Sequence, residues 1–276
     1  MKQTKIAFDV VVPTSGRFDM LEKCLNSVYI NATLPVNIIV VDDGCDKEEK
    51  RSHSELFVYN SDLDVHKQVT FTYIRHEVRE GFPKSCNEGS KRGHSKYILF
   101  LNDDVELGDN YFQEVVTLME KENVGICGTR LLFPSNSSNS SKPAGKIQHI
   151  ALACDILANV IHPLIGWSPD NPKTTIAREV WAVTGAALTV RRDLFHKVGG
   201  FNTIYGMGTY EDVELCLQIR TLGYRILIDP KVNGTHYTGA TVEKLNAGYP
   251  LHKNAMIFKS IWANSGKLIF DSWTYG

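Results

Sequence analysis

No two of the six cysteines, Cys24, Cys45, Cys86, Cys127, Cys154 and Cys216, form a Cys-x-x-Cys pair, which speaks against a zinc knuckle or a thioredoxin-type site. Several stand inside apolar runs, where a free thiol behaves as a small buried hydrophobe and points to a reducing compartment. No charge sign dominates either. Thirty basic against 31 acidic side chains leave a net charge of −1. That removes the global basic field expected of a nucleic-acid binder and the acidic block of a solvating tail. No apolar run reaches the length of a membrane span, and the first residues lack the apolar core and small-residue cleavage site of a secretion leader. The expectation is a cytoplasmic protein without a transmembrane segment, with peripheral membrane contact left open through a closing helix. In that setting the sequons at Asn31, Asn136, Asn139 and Asn233 read as loop asparagines. No internal repeat is present.

What is present is an ordinary globular composition of 276 residues, 43% hydrophobic and 22% charged, long enough for a substantial core. The first half alternates strand and helix signals. Apolar runs at Phe8–Val12, Val36–Val41, Val69–Ile74, Tyr97–Leu101 and Val124–Cys127 predict strands, the first stopped by Pro13. Asp19 and Glu22 have capping-box spacing ahead of a helix. Pro83 opens a second helix running to about Gly93, and a third is expected from about Asp109 to Glu122. Residues 45–68 are charged and carry no clear period. This order predicts an α/β fold whose mostly parallel central sheet is flanked by helices.

After Pro134 the rhythm changes, so residues 1–133 and 134–276 read as two halves of one domain. A Ser/Asn-rich loop opens the second half. Helices are expected at Asp193–Val198, Glu211–Leu222 (with Gly223 as its C-terminal cap) and Leu251–Trp262, and a strand at Arg225–Ile228, before Pro230.

Polar signals follow three of the predicted strands: Pro13-Thr14-Ser15-Gly16-Arg17, Asp42-Asp43-Gly44 and Asn102-Asp103-Asp104. A parallel sheet would gather them on one rim, where such folds bind ligands. Adjacent carboxylates at a strand end suit a hard divalent cation carrying phosphate, and read equally well as a solvated turn. Asp43 can accept from the ring N–H of a pyrimidine or begin a turn. Glu211 and Asp212 open a helix, where the dipole favours them. One of them, aimed into a cleft, could instead take a proton from a hydroxyl. Gly206 and Gly208 allow close approach or movement of the loop before them. His236, alone beside glycines, and Trp181 each read first as structural residues.

Together these segments resemble the family-two glycosyltransferases of the GT-A fold over about residues 8 to 263. VVVPTSGR is similar to the family's first strand and nucleotide loop, IIVVDDG to its second, and YILFLNDDVEL to the strand carrying the acidic metal motif. GFPKSCNEG, WAVTGAALTVRRDLFHKVGGFN, YEDVELCLQIRTLGYRI and HYTGAT match the segments that follow, with the rhamnosyltransferase and surface-polysaccharide branch as the nearest pattern.

The resemblance implies an inverting, metal-dependent transfer from a UDP- or dTDP-sugar to a hydroxyl of a glycan or glycoconjugate. Pro13, Thr14, Arg17 and Asp43 would hold the nucleotide, with Asn87, Asn102 and Asp103 on the donor side. Asp104 and His236 would hold Mn2+ or Mg2+. Asp212 would be the base and Glu211 its neighbour in the acceptor pocket, with Trp181, Gly185 and Ala186 on the acceptor side. Cys86 stands where many members have arginine, which makes Lys84 the substitute phosphate contact. Asn102 replaces the first aspartate of the acidic motif. A sugar-nucleotide nucleotidyltransferase and an inactive carbohydrate-binding module of the same fold are the alternatives.

Overall fold

The computed structural model of the protein describes residues 8–45, 69–155, 157–238, 250–263, 265, 266 and 268. The segment 46–68 and the Gly239–Thr241 end of the HYTGAT match lie outside them. Among the described residues twelve strands are present: β1 (Phe8–Thr14), β2 (Val36–Asp43), β3 (Val69–His76), β4 (Tyr97–Leu101), β5 (Val105–Leu107), β6 (Val124–Leu132), β7 (Ile147–His149), β8 (Ala153–Cys154), β9 (Val160–Ile161), β10 (Arg178–Glu179), β11 (Ala187–Arg191) and β12 (Arg225–His236). The α-helices are α1 (Phe18–Asn31), α2 (Phe82–Ser90), α3 (Tyr111–Met119), α4 (Arg192–Lys197), α5 (Glu211–Thr221) and α6 (Leu251–Trp262).

The main sheet runs β10-β12-β6-β11-β4-β1-β2-β3, with β5 attached to β12 and β7 to β6. β1, β2, β3 and β4 are parallel, as are β6 and β12, and β11 runs against both its neighbours. The expected mostly parallel sheet is thus present, and strands of the second half lie inside it. Alternation along the inner strands explains the two cores. Val10, Val12, Ile38, Val40, Leu99 and Leu101 face the side covered by α1 and α3. Val11, Ile39, Val41, Ile98 and Phe100 face the side shared with Leu215, Ile219 and Phe258.

Neither predicted proline stop holds. β1 continues through Pro13 to Thr14 because its pairing with β4 ends at Val11, so on that side the ladder has already finished. β12 continues through Pro230 because a register irregularity between Ile228 and Asn233 takes the proline out of the ladder. This second extension carries β12 to His236, which pairs opposite Val105 of β5. The capping box also fails. Arg17 takes the N-cap position of α1 without a side-chain cap, and Asp19 falls inside the first turn. Two of the sequon asparagines are not in loops. Asn31 ends α1, buried, where it accepts from the Tyr111 N–H at 3.2 Å, and Asn233 lies in β12.

The edge of the sheet opposite the candidate rim is closed by a buried charge. Asp9 is fully buried and accepts from Asn37 Nδ2 at 3.1 Å, from the Ser95 N–H at 2.9 Å and from the Arg192 guanidinium. Arg192 starts α4, so this ion pair ties the second half to β1. All six cysteines are buried and carry thiols rather than disulfides. Among the described residues no helix is long and apolar enough to cross a membrane.

Removing only the cation leaves Asp9 buried and unpaired, a loss of about 3–5 kcal/mol. Arg192→Leu should therefore lower the urea midpoint strongly with little change in slope. An unchanged midpoint would deny Asp9 its charge.

Candidate active site

A cleft of about 620 Å3 opens at the carboxyl ends of β1, β2 and β4 and is bounded on the far side by the start of α5. Twelve of the predicted site residues line it: Pro13, Thr14, Arg17, Asp43, Asn102, Asp103, Asp104, Gly185, Ala186, Glu211, Asp212 and His236.

On the nucleotide side, β2 ends in two carboxylates with separate duties. Asp42 is consumed by structure, accepting from the Cys45 N–H at 2.9 Å, Tyr73 Oη at 2.6 Å and Arg75 Nη1 at 2.7 Å. Asp43 faces the cleft. It accepts from the Glu80 and Gly81 N–H groups at 2.8 and 2.9 Å and contacts His76 Nδ1 at 2.8 Å. Burial lowers the affinity of His76 for its proton, but contacts with Asp43 and Glu88 outweigh burial and raise its pKa. Gly81 has a positive φ of 92°, and a Cβ there would stand 2.2 Å from the Gly206 carbonyl. Only glycine lets α2 begin this close to the loop before α5.

In the acidic turn, Thr14 Oγ1 donates to Asp103 Oδ2 at 2.7 Å. Arg17 reaches both acids, bonding Asp103 and donating from Nη1 to Asp104 Oδ2 at 2.8 Å. His236 Nε2 lies 3.1 Å from Asp104 Oδ1. The two acids are pulled apart electrostatically. Burial, against the attraction of Arg17, pushes Asp103 up to about 6. Burial acts on Asp104 too, but there His236 and Arg17 outweigh it and hold the carboxyl below the ordinary range.

Asp104 and His236 fit a divalent cation as two converging buried donors, an oxygen and an imidazole nitrogen. The guanidinium spanning Asp103 and Asp104 shows that this acid pair already accommodates positive charge. Among the described residues no group of three or more His, Cys, Asp or Glu side chains is arranged as a complete metal cage. Magnesium-type ions commonly take one or two protein ligands and complete their shell with phosphate and water.

On the far wall, the Gly185 N–H donates to Asp212 Oδ2 at 2.8 Å, and the Val213 N–H donates to Oδ1 at 2.8 Å. Burial raises the Asp212 pKa against these two bonds. Glu211 is more extreme: burial, then the neighbouring Asp212, pushes it well up, and its Oε2 finds no partner among the described residues. The loop that presents the pair is strained, with Thr209 and Tyr210 at φ 81° and 72°. Asn254 of α6, buried, holds it from behind: Nδ2 lies 2.8 Å from the Tyr205 carbonyl and 2.7 Å from that of Gly208.

Three expected residues sit elsewhere. Lys84 is exposed and pairs with Glu80 at 3.1 Å, one helical turn away. Besides Arg17, Arg79 lines the cleft, with its guanidinium donating to the Ser15 carbonyl. Asn87 clasps the Phe201 backbone through two 2.8 Å bonds, so it fastens α2 to the Gly199-Gly200 turn. Trp181 is buried in the core, 3% exposed, and offers no face to a sugar. Sequence reasoning also missed Arg79, His76, Gln148, His162 and Tyr210. His162 and Gln148 come from a stretch without periodicity, so no signal in the chain marked them.

The family model described as Glycosyl transferase family 2 matches residues 9–195. The O-antigen biosynthesis protein RfbC of Myxococcus xanthus is 25% identical over 241 residues, covering 84% of this chain. The chain spans only 17% of RfbC's length, and 24% and 34% of two further curated relatives. Among solved structures, GalNAc-T7 with UDP, GalNAc and Mn2+ superposes over 96% of this chain and 50% of its own, with a TM-score of 0.70 and 16% identity. The mannosyltransferase PcManGT from Pyrobaculum calidifontis, in complex with GDP-Man and Mn2+, covers 86% of this chain and 58% of its own, with a TM-score of 0.59 and 16% identity. At these identities the superpositions establish the GT-A fold.

The Glu211 carboxyl has a raised pKa in the folded state, so its contribution to stability is complete below its unfolded pKa and is lost as pH rises through the folded value. Glu211→Gln should therefore melt above the parent at pH 8, by about 2–4 °C per kcal/mol of relief, with the difference closing near pH 4.5. Equal melting temperatures at pH 8 would contradict a strained, ionisable Glu211.

Proposed function

The chain belongs to glycosyl transferase family 2, and on that premise we propose that it transfers a sugar, with inversion, from a uridine or thymidine diphosphate sugar to a hydroxyl of a glycan or glycoconjugate. The observation that carries this reading is the convergence of Asp43, Asp103, Asp104 and Asp212, distant along the chain, on one cleft. The nucleotide occupies the first half and the acceptor the second. Bound Mn2+ in GalNAc-T7 and PcManGT supports a divalent cation, Mn2+ or Mg2+, at Asp104 and His236. Six buried cysteine thiols, none in a disulfide, suit a reducing, cytoplasmic setting.

The base ring lies against Pro13 and Thr14, and Asp43, kept oriented by the Glu80 and Gly81 N–H groups, accepts from its ring N–H. Asp103, tied to Thr14, borders the ribose, and Arg79 borders the phosphates. Asp104 and His236 would hold the cation, whose positive charge would offset the charge gathering on the diphosphate. Asp212 accepts the proton of the acceptor hydroxyl as that oxygen forms its bond to the anomeric carbon. The bond from that carbon to the diphosphate oxygen breaks on the opposite face. The Gly185 and Val213 N–H groups fix the Asp212 oxygens in place for this step. A nucleotidyltransferase would need a glycine-rich triphosphate loop after β1. Here that loop is short, and its one arginine is engaged with Asp103 and Asp104.

Asp212→Asn should reduce turnover by at least about a hundredfold while the melting shift produced by UDP with manganese stays within error of the parent's. Normal turnover in that variant would remove Asp212 as the base. In a panel of nucleoside diphosphates, UDP or dTDP with manganese, at about a hundred times its dissociation constant, should add roughly 2.7 kcal/mol of stability. EDTA should abolish most of that gain, and a shift indifferent to EDTA would argue against metal-assisted binding.

A further inference from the structure

Beside Asp212, the acceptor side of the cleft holds a histidine pair that the mechanism above does not use. The Thr184 N–H lies 3.2 Å from His149 Nε2. A backbone N–H can only donate, so this Nε2 is an unprotonated acceptor. His149 is fully buried, which lowers its pKa well below the ordinary range and keeps the ring neutral. Its proton therefore sits on Nδ1. That atom lies 3.2 Å from Nδ1 of His162. The second ring must accept there, which places its own proton on Nε2.

His162 itself lines the cleft and is exposed to it. Its Nε2 makes no hydrogen bond to any described residue. The charged or titratable groups that act on it besides His149 are Asp212, which favours its protonation, and His236, which opposes it. Protonating Nδ1 would set two N–H groups against each other across the 3.2 Å contact. The ring is thus held as a neutral group whose free edge can donate but not accept.

We infer that His162 is a specificity-determining residue for the acceptor. Its Nε2–H, fixed by the Thr184–His149 relay, binds an oxygen of the acceptor next to the hydroxyl that Asp212 deprotonates. The class of acceptor this fits carries a second hydroxyl or ether oxygen beside the attacking one, as sugars and polyols do. An ammonium or amide N–H at that point would face another donor. His149 is a positioning residue and acts only through His162. This inference rests on the transferase reading given above.

Two measurements test it. Nitrogen-15 NMR of the imidazoles in the intact protein should show His149 as the Nδ1–H tautomer and His162 as the Nε2–H tautomer from pH 6.5 to 8. An Nδ1–H or imidazolium state of His162 at pH 7 overturns the relay. For the acceptor, glycerol serves as the probe, with UDP-glucose, UDP-N-acetylglucosamine and dTDP-rhamnose as donors and manganese present. The ratio of transfer to glycerol over hydrolysis by water should fall about tenfold in His162→Phe. His162→Gln, which keeps an N–H donor, should retain most of the parent ratio. A Phe variant with the parent ratio, or a parent that glycosylates no glycerol while hydrolysing donor, overturns the acceptor role. A parent that hydrolyses none of the three donors brings down the transferase reading and the acceptor role together. The NMR result distinguishes that outcome from a failure of the relay alone.

Discussion

Three consecutive peptide groups, from Thr184 to Ala186, hold the site together. The Thr184 N–H bonds His149, the Gly185 N–H bonds Asp212, and the Ala186 carbonyl accepts from the Asn102 N–H at 2.8 Å. One short stretch of main chain thus sets the spacing between the acidic turn after β4, the carboxylate at the head of α5 and the histidine pair. It can do so because β11, which follows immediately, is inserted between β4 and β6 and runs against both. The antiparallel strand brings the start of β11 to the same rim where the parallel strands end. Gly185 keeps this contact close: a Cβ there would lie 3.2 Å from Asp212 Cβ. A side chain there would ask the head of α5 to give by a few tenths of an ångström, at the bond that orients Asp212.

Around this hub the electrostatics follow a division of labour among carboxylates. Asp9 and Asp42 are buried and fully paired, and act as structural charges. Asp103 and Asp104 share Arg17, yet their environments push their proton affinities in opposite directions. Asp212 and Glu211 have raised affinities, mainly through burial. An acid cluster of this kind carries self-repulsion that nearby positive charge offsets. Its tolerance of positive charge is visible in the position of Arg17. The strained Thr209-Tyr210 turn belongs to the same pattern, because Asn254 of α6 holds it from behind.

Much of this was legible from local pattern. The β-branched run at Val36–Val41 read as a strand buried on both faces and the apolar run at Tyr97–Leu101 as another strand, and a parallel sheet puts the polar residues after them on one rim. Twelve of the fifteen expected site residues do line the cleft. Misreadings came where chemistry at a single residue was taken for its position in space. Lys84 has the right charge, but its helix turns it outward to Glu80. Trp181 has the right shape for a sugar, and the apolar core claims it first. Pro13 and Pro230 break ladders in general, but here each sits where the ladder has ended or bulged.

The order of strands and helices, the two-faced core and the acidic strand ends followed from periodicity and residue type, because burial and hydrogen bonding act on neighbours along the chain. Distances between remote groups did not, because they depend on which strand pairs with which. The Asp104–His236 contact needed β12 to pass its proline and reach β5. The tautomers of His149 and His162 needed the Thr184 N–H, from the segment leading into β11, which the sequence places more than twenty residues away. These are properties of register and packing, and only the folded sheet determines them.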